Sequence, residues 1–326
     1  MEKMIKIKVA DAVHQVLVPN RELRSWSDAA AQSFFIGQLT GLEAQVYEAV
    51  YPDIFYHELV PVNTSHPRGV ENVSYRSFDG VTMAKFIGAS ASDLPRVAMS
   101  ANLTTVPVGY GGVEANWNLS ELMSSQLLGQ AIDGVQLRLA FRGYQEHAQR
   151  VALFGDESRG MGGLLDNKNV TLTSSSVDWE TVTDNQDLID ELDKAVKLVW
   201  NTTKGAFLPD VLLIPADKFT LISSRRMMPG TDTSILQWYR ENNFTKTMGK
   251  ELEIRPVFQL NDMGANEKGR IVAYVRDRNC LEMYQPLPFE TLPPQYVGLE
   301  VNVPSHYKTS GTDFKQPLSA CYVDLI

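Results

Sequence analysis

Cysteine is almost absent: only Cys280 and Cys321 occur in 326 residues, and they form no CxxC pair. That excludes a disulfide framework and a cysteine-rich zinc module, leaving two reduced, buried thiols as the expectation. Positive charge is also short. The 30 Lys and Arg stand against 39 Asp and Glu, a formal net charge of −9, whereas a grip on nucleic acid needs clustered cations. No apolar run approaches the ~18 residues of a membrane span. The N-terminus, Met-Glu-Lys-Met-Ile-Lys-Ile-Lys-Val, alternates charge with apolar residues and forms no signal core. Residence in a cytosol follows, and Asn-x-Ser/Thr triplets such as Asn102-Leu103-Thr104 then carry no glycosylation meaning.

Recognisable chemistry is missing too. The five histidines, His14, His57, His66, His147 and His306, form no HxH, HExxH or Cys/His cluster. Gly109-Tyr-Gly-Gly112 and Gly160-Met-Gly-Gly163 lack the Lys-Ser/Thr and the spacing of phosphate-cradling loops, so they read as chain-turning glycine. Ser305-His306 has no GxSxG elbow, and adjacent residues do not make a nucleophile and its base. The expectation is therefore no enzyme, no metal and no cofactor. No internal repeat and no low-complexity tract occurs.

What is present is an ordered chain. A composition 44% hydrophobic and 21% charged is ordinary for a folded protein with room for two or three modules. Residues 1 to 25 read as an extended arm. A helix is predicted from Ser27 to Val50, with Phe35, Leu39, Leu42, Val46 and Val50 on one stripe. From His57 to Ala115 only short strand-like pieces occur: Glu58–Val62, Val73–Phe78, Val81–Ile87 and Leu103–Val108. A two-stranded ribbon cannot bury a core by itself, so it is expected to complete its packing on a neighbouring subunit.

The proline-free stretch from Trp117 to Phe154 reads as one helix of about 50 Å with Ser120 as its N-cap. Leu128, Ile132, Val135 and Leu139 mark its apolar face. Such a helix is a beam, which suggests a protein whose job is shape. Beyond it the signals become compact. A helix over Asn185–Trp200 gathers Leu188, Leu192, Ala195 and Val199, and a buried strand follows at Val211–Ile214. Short helices are expected near Asp217–Ser223 and Ser234–Asn243, then strands at Leu252–Val257, Arg270–Val275, Leu281–Tyr284, Tyr296–Val303 and Ala320–Ile326. Arg225-Arg226-Met227-Met228 opens a basic loop between two helices, and two readings stay open: a contact at a symmetry axis, or exposed surface.

This order of parts resembles the major capsid proteins of tailed bacteriophages, the Hong Kong 97-like fold, from about Val46 to Ile326. The pieces that carry the resemblance are Gln45–Asp53, Val73–Asp79, Ala91–Pro95, the helix opening Trp117–Leu122 and its close Ala152–Asp156, the turn Gly162–Val170, and Tyr307–Ala320. Lys168 stands where the family's turn usually has proline.

The resemblance implies an α+β capsid fold. Residues 1–56 would be the N-terminal arm and helix, 57–116 the extended E-loop, and 117–183 the P-domain with its spine helix. Residues 184–289 would form a mixed α/β A-domain at the capsomer axis, and 290–326 the return strands of the P-domain. Tyr75, Phe78, Met83, Lys85, Phe86 and Ile87 of the E-loop would contact another subunit. Lys85 could in principle form an isopeptide bond there, though a surface lysine is the plainer reading. Arg225, Arg226, Met227 and Met228 would face the capsomer axis.

The implied function is self-assembly as pentamers and hexamers into an icosahedral virion shell around double-stranded phage DNA, held without sequence-specific binding. An acidic balance suits such a container, since a basic lining would grip the genome. No heptad-bearing segment precedes Ser27, so a separate scaffolding protein is expected, together with a portal and room for a decoration protein, after synthesis in the host cytoplasm. The alternatives are an encapsulin-like nanocompartment shell and a soluble α/β enzyme.

Overall fold

The computed structural model describes residues 4–9, 12–17, 53–81, 86, 98–118, 120, 132–228, 230, 232–264 and 267–326. Residues 1–53 and 54–326 form two separate compact units. In the first, β1 (Met4–Val9) and β2 (Ala12–Leu17) pair antiparallel with Met4 opposite Leu17. The helix expected over Ser27–Val50 lies outside the described residues.

The second unit begins with a helical turn, α1 (Tyr56–Leu59), and a short β3 (Val62–Asn63). A strand was expected over Glu58–Val62. Tyr56 and Leu59 instead share one face of the turn, and both are buried. β4 (Asn72–Val81) and β5 (Ala98–Pro107) then form a ribbon with Asn72 opposite Pro107 and Val81 opposite Ala98.

β6 (Gly109–Asn118) corrects the reading of Trp117 as helical. Trp117 lies opposite Val301 in a later strand, and with Ala115 and Val303 it is buried against Leu137. The Asn118 carboxamide oxygen accepts the Ser120 amide at 3.0 Å; residues 121–131, over which the expected helix would begin, lie outside the described residues. The described spine is α2 (Ile132–Phe154), 23 residues or about 34 Å. Of the expected face Leu128, Ile132, Val135 and Leu139, only Leu139 has a described side chain. Leu139 is 47% exposed, while Ala140, Tyr144, Ala148 and Ala152 are buried. Ala148 and Ala152, four residues apart, let the helix backbone come close to what it packs on. His147 and Tyr144 meet Tyr307, the first through a 2.8 Å hydrogen bond.

The spine ends where a residue free to take positive φ is needed. Gly155 has φ +74 and donates to the Val151 carbonyl. The amides of Leu164 and Leu165 satisfy the carbonyls of Ala152 and Leu153, and Thr312 donates a second bond to Ala152. A Cβ on Gly155 would lie 2.2 Å from the Met161 carbonyl oxygen. Gly155→Ala is therefore expected to lose more than ~2 kcal/mol, from left-handed strain plus the clash. Calorimetry would show a lowered melting temperature; an unchanged one would contradict this account of the spine's end.

The remaining elements are β7 (Thr171–Ser174), α3 (Asn185–Thr202), β8 (Val211–Pro215), α4 (Ala216–Ser224), α5 (Ile235–Asn242), α6 (Phe244–Thr247) and β9 (Glu253–Val257). β10 (Arg270–Tyr274), β11 (Leu281–Tyr284), β12 (Leu287–Thr291), β13 (Gln295–Val297), β14 (Glu300–Thr309), β15 (Thr312–Phe314) and β16 (Ala320–Asp324) complete the chain. Asp184 caps α3 by accepting the Gln186 amide, and Leu188, Leu192, Ala195 and Val199 are buried together.

The central sheet runs β7-β16-β10-β8-β9. Both faces of its three inner strands, β8, β10 and β16, are covered, so these strands are buried throughout and mostly apolar, and the pleat sorts them. Val211, Leu213, Val272, Tyr274, Ala320 and Tyr322 join the core that holds the spine. Leu212, Ile214, Ile271, Ala273, Cys321 and Val323 join the core under α3, α4 and α5. Burial pushes the Cys321 thiol up to about 12, which keeps it protonated. A second sheet pairs β14 with β6 on one side and with β12 and β13 on the other, and β15-β11-β3 makes a third. The strand expected over Tyr296–Val303 is instead a hairpin, because Gly298 turns the chain at φ +63 between β13 and β14.

Candidate assembly surface

The ribbon has two unlike faces, fixed by its register. On one, Val73 opposes Val106 and Tyr75 opposes Thr104. Val73, Val106 and Tyr284 form a small buried cluster with Val70, Tyr75 and Val108 around it, which seats the ribbon on the body. On the other face Arg76 opposes Leu103, Phe78 opposes Ala101 and Gly80 opposes Met99. Phe78, Met99 and Leu103 are therefore neighbours on that face, and they are 62%, 68% and 66% exposed. An apolar stripe on a two-stranded ribbon, with nothing of its own chain over it among the described residues, is a surface made to be covered.

The expected E-loop contacts divide accordingly. Phe78 lies on the exposed stripe and Phe86 is fully exposed. Tyr75 does not: it is half-buried in the seat, where burial, and then the charge of Asp313, raise its pKa. Met83, Lys85 and Ile87 lie outside the described residues. Met99 and Leu103 were not singled out from the sequence, because only the strand pairing shows that they flank Phe78.

The Arg225–Asp232 loop is tied down at its start. Arg225 donates to the carbonyls of Val182 and Thr183 at 2.9 and 2.8 Å. Arg226 pairs with Asp232 at 3.4 Å, and Asn185 donates to the Arg226 and Met227 carbonyls. Met227 packs on the second core, while Met228 is 59% exposed.

A third feature joins the spine to the central sheet. The Arg270 guanidinium holds Asp324 through Nε at 2.6 Å and Nη2 at 3.2 Å, and reaches the Leu165 carbonyl at 3.0 Å and Asp166 at 3.1 Å. It also lies 5.1 Å over the Tyr322 ring, whose hydroxyl donates to the Leu164 carbonyl at 2.6 Å. The turn Gly162–Val170 is thus clamped from beneath, with Lys168 on its outside pairing with Glu157.

Other polar groups are engaged structurally. Ser305 donates to Thr291 while His306 bonds Tyr110, so these adjacent residues serve opposite faces of β14. Burial, then Arg150 and Arg159, lower the His147 pKa. Among the described residues no group of three or more His, Cys, Asp and Glu could hold a metal, and no helix is long and apolar enough to cross a membrane.

Solved structures share this fold of a two-core body, a long helix and a two-stranded ribbon. The capsid of Myoviridae phage XM1 is 13% identical, covers 89% of this chain and 98% of its own, and superposes with a TM-score of 0.75. The capsid of the native GTA particle is 11% identical over 92% and 99%, with a TM-score of 0.61. Gordonia phage Cozz is 9% identical over 95% and 98%, with a TM-score of 0.59. No curated protein matches. A model of the major capsid protein family matches residues 82–326, and the chain belongs to that family. It is a capsid shell protein with the Hong Kong 97-like fold of tailed phages, a component of the virion built from repeated copies.

Proposed function

We propose that this subunit assembles as pentamers and hexamers into an icosahedral shell around double-stranded DNA. The ribbon's exposed stripe carries the reading: Phe78, Met99 and Leu103 lack cover from their own chain among the described residues, and a sister copy supplies it. Residues 57–116 act as the E-loop, lying across the neighbour. The body divides into the P-domain, 117–183 with 290–326, and the A-domain, 184–289. Arg225 to Asp232 face the capsomer axis, where exposed Met228 and the Arg226–Asp232 pair meet their copies.

The role is structural, not catalytic, and the net charge of −9 keeps the inner wall from gripping the genome. Scaffolding, portal and decoration proteins are the further partners, with synthesis in the host cytoplasm. The matched solved structures are phage and GTA particle capsids, which favours a genome container over a nanocompartment. Electron microscopy of purified particles, with nuclease treatment, tests this. Closed shells of five- and six-fold capsomers protecting DNA are expected. Small soluble oligomers, or shells filled with an enzyme, would refute it.

A further inference from the structure

The ribbon's seat contains more negative charge than its contacts neutralise. β11 and β15 set Glu282 directly opposite Asp313, a distance of about 5 Å between Cβ atoms. Glu282 is 3% exposed and takes the Lys315 ammonium at 2.6 Å. The same ammonium donates to the Arg278 carbonyl at 2.9 Å and lies 5.9 Å over the Tyr75 ring and 5.8 Å over that of Tyr284. The buried Glu282 therefore holds this cation, and the half-buried Asp313 stands opposite it.

Asp313 is the poorer served. The Tyr75 side chain lies beside it, and its Oδ2 is buried with no hydrogen-bond partner among the described residues. The groups facing this cluster are Tyr75 from the ribbon, Tyr284 and Glu282 from β11, Lys315 just beyond β15, and His66, whose ring lies 5.3 Å from Tyr284.

We propose that Asp313 couples the seating of the ribbon to proton uptake. With its proton bound, Asp313 puts no charge into the dry cluster and Tyr75 stays closed on it. Ionised, the orphaned oxygen carries a charge that only water can satisfy, and the base of the ribbon loosens. Burial raises the Asp313 pKa, with Tyr75 and Lys315 opposing and Glu282 adding to the rise. The sign follows from the raised value. The protonated form favours the closed seat, so protection is full below the ordinary carboxylate range of about pH 4. It is lost as pH rises through the raised folded-state value. The inference concerns the seat on the ribbon's own chain and stands whether or not the outer stripe meets a neighbour.

Hydrogen exchange read by mass spectrometry on the full-length protein tests it, with rates corrected for intrinsic pH dependence. Between about pH 4.5 and about pH 8, protection at Val73–Tyr75 and Thr104–Val106 is expected to fall several-fold in the native protein and to stay flat in Asp313→Asn. An equal fall in Asp313→Asn, or no fall in the native protein, would overturn the proposal. Glu282→Gln frees Lys315 for Asp313, so the fall should move to lower pH; an unmoved midpoint would also overturn it.

Discussion

Replacing Phe78 and Leu103 together with serine should abolish assembly while leaving the subunit folded. Both side chains stand more than half exposed on one face of the ribbon, so folding stability loses little, within ~0.5 kcal/mol for each. Covered by a sister copy, each contributes roughly 1.5–3 kcal/mol. The pair thus removes ~3–6 kcal/mol from every ribbon contact, and a shell repeats that contact in each copy. Light scattering should find no particles, and circular dichroism should find a native spectrum. Particles at the native yield would show that the stripe is not the contact.

Arg270→Ala should be the most damaging single substitution in the body, at about 3–5 kcal/mol. It leaves Asp324, only 5% exposed, without its guanidinium and removes a bond to the Leu165 carbonyl. The turn after the spine then loses its hold on the central sheet. Denaturant unfolding measures the loss. Lys168→Ala on the outside of the same turn removes only a solvent-exposed pair and should change little. Equal losses at the two sites would contradict the clamp.

The sequence was most readable where one local period decided the structure. The stripe Leu188, Leu192, Ala195 and Val199 with Asp184 ahead of it is enough to place α3, and the run Val211–Ile214 is enough to place β8. Trp117 was misread because the stretch beyond it lacks proline. The alternation of Val113, Ala115 and Trp117 with Glu114, Asn116 and Asn118 is a strand signal that was available. On the spine, Leu139 is a poor marker of the buried face. Packing uses Ala140, Ala148 and Ala152 beside Tyr144, Val151 and Leu153, and leaves Leu139 and Phe141 partly out. What no local reading could supply is pairing at long range. Met99 and Leu103 become neighbours of Phe78 only through the ribbon's register, and Arg270 finds Asp324 and Leu165 only once the sheet and spine are in place.

A density map of the assembled shell, resolved to side chains, bears most directly on the whole account. Phe78, Met99 and Leu103 should be found packed beneath a second copy, with Val73 and Val106 still seated on their own chain. A shell in which that stripe faces solvent, or folds back over the body it came from, would overturn the claim that the ribbon borrows a neighbour.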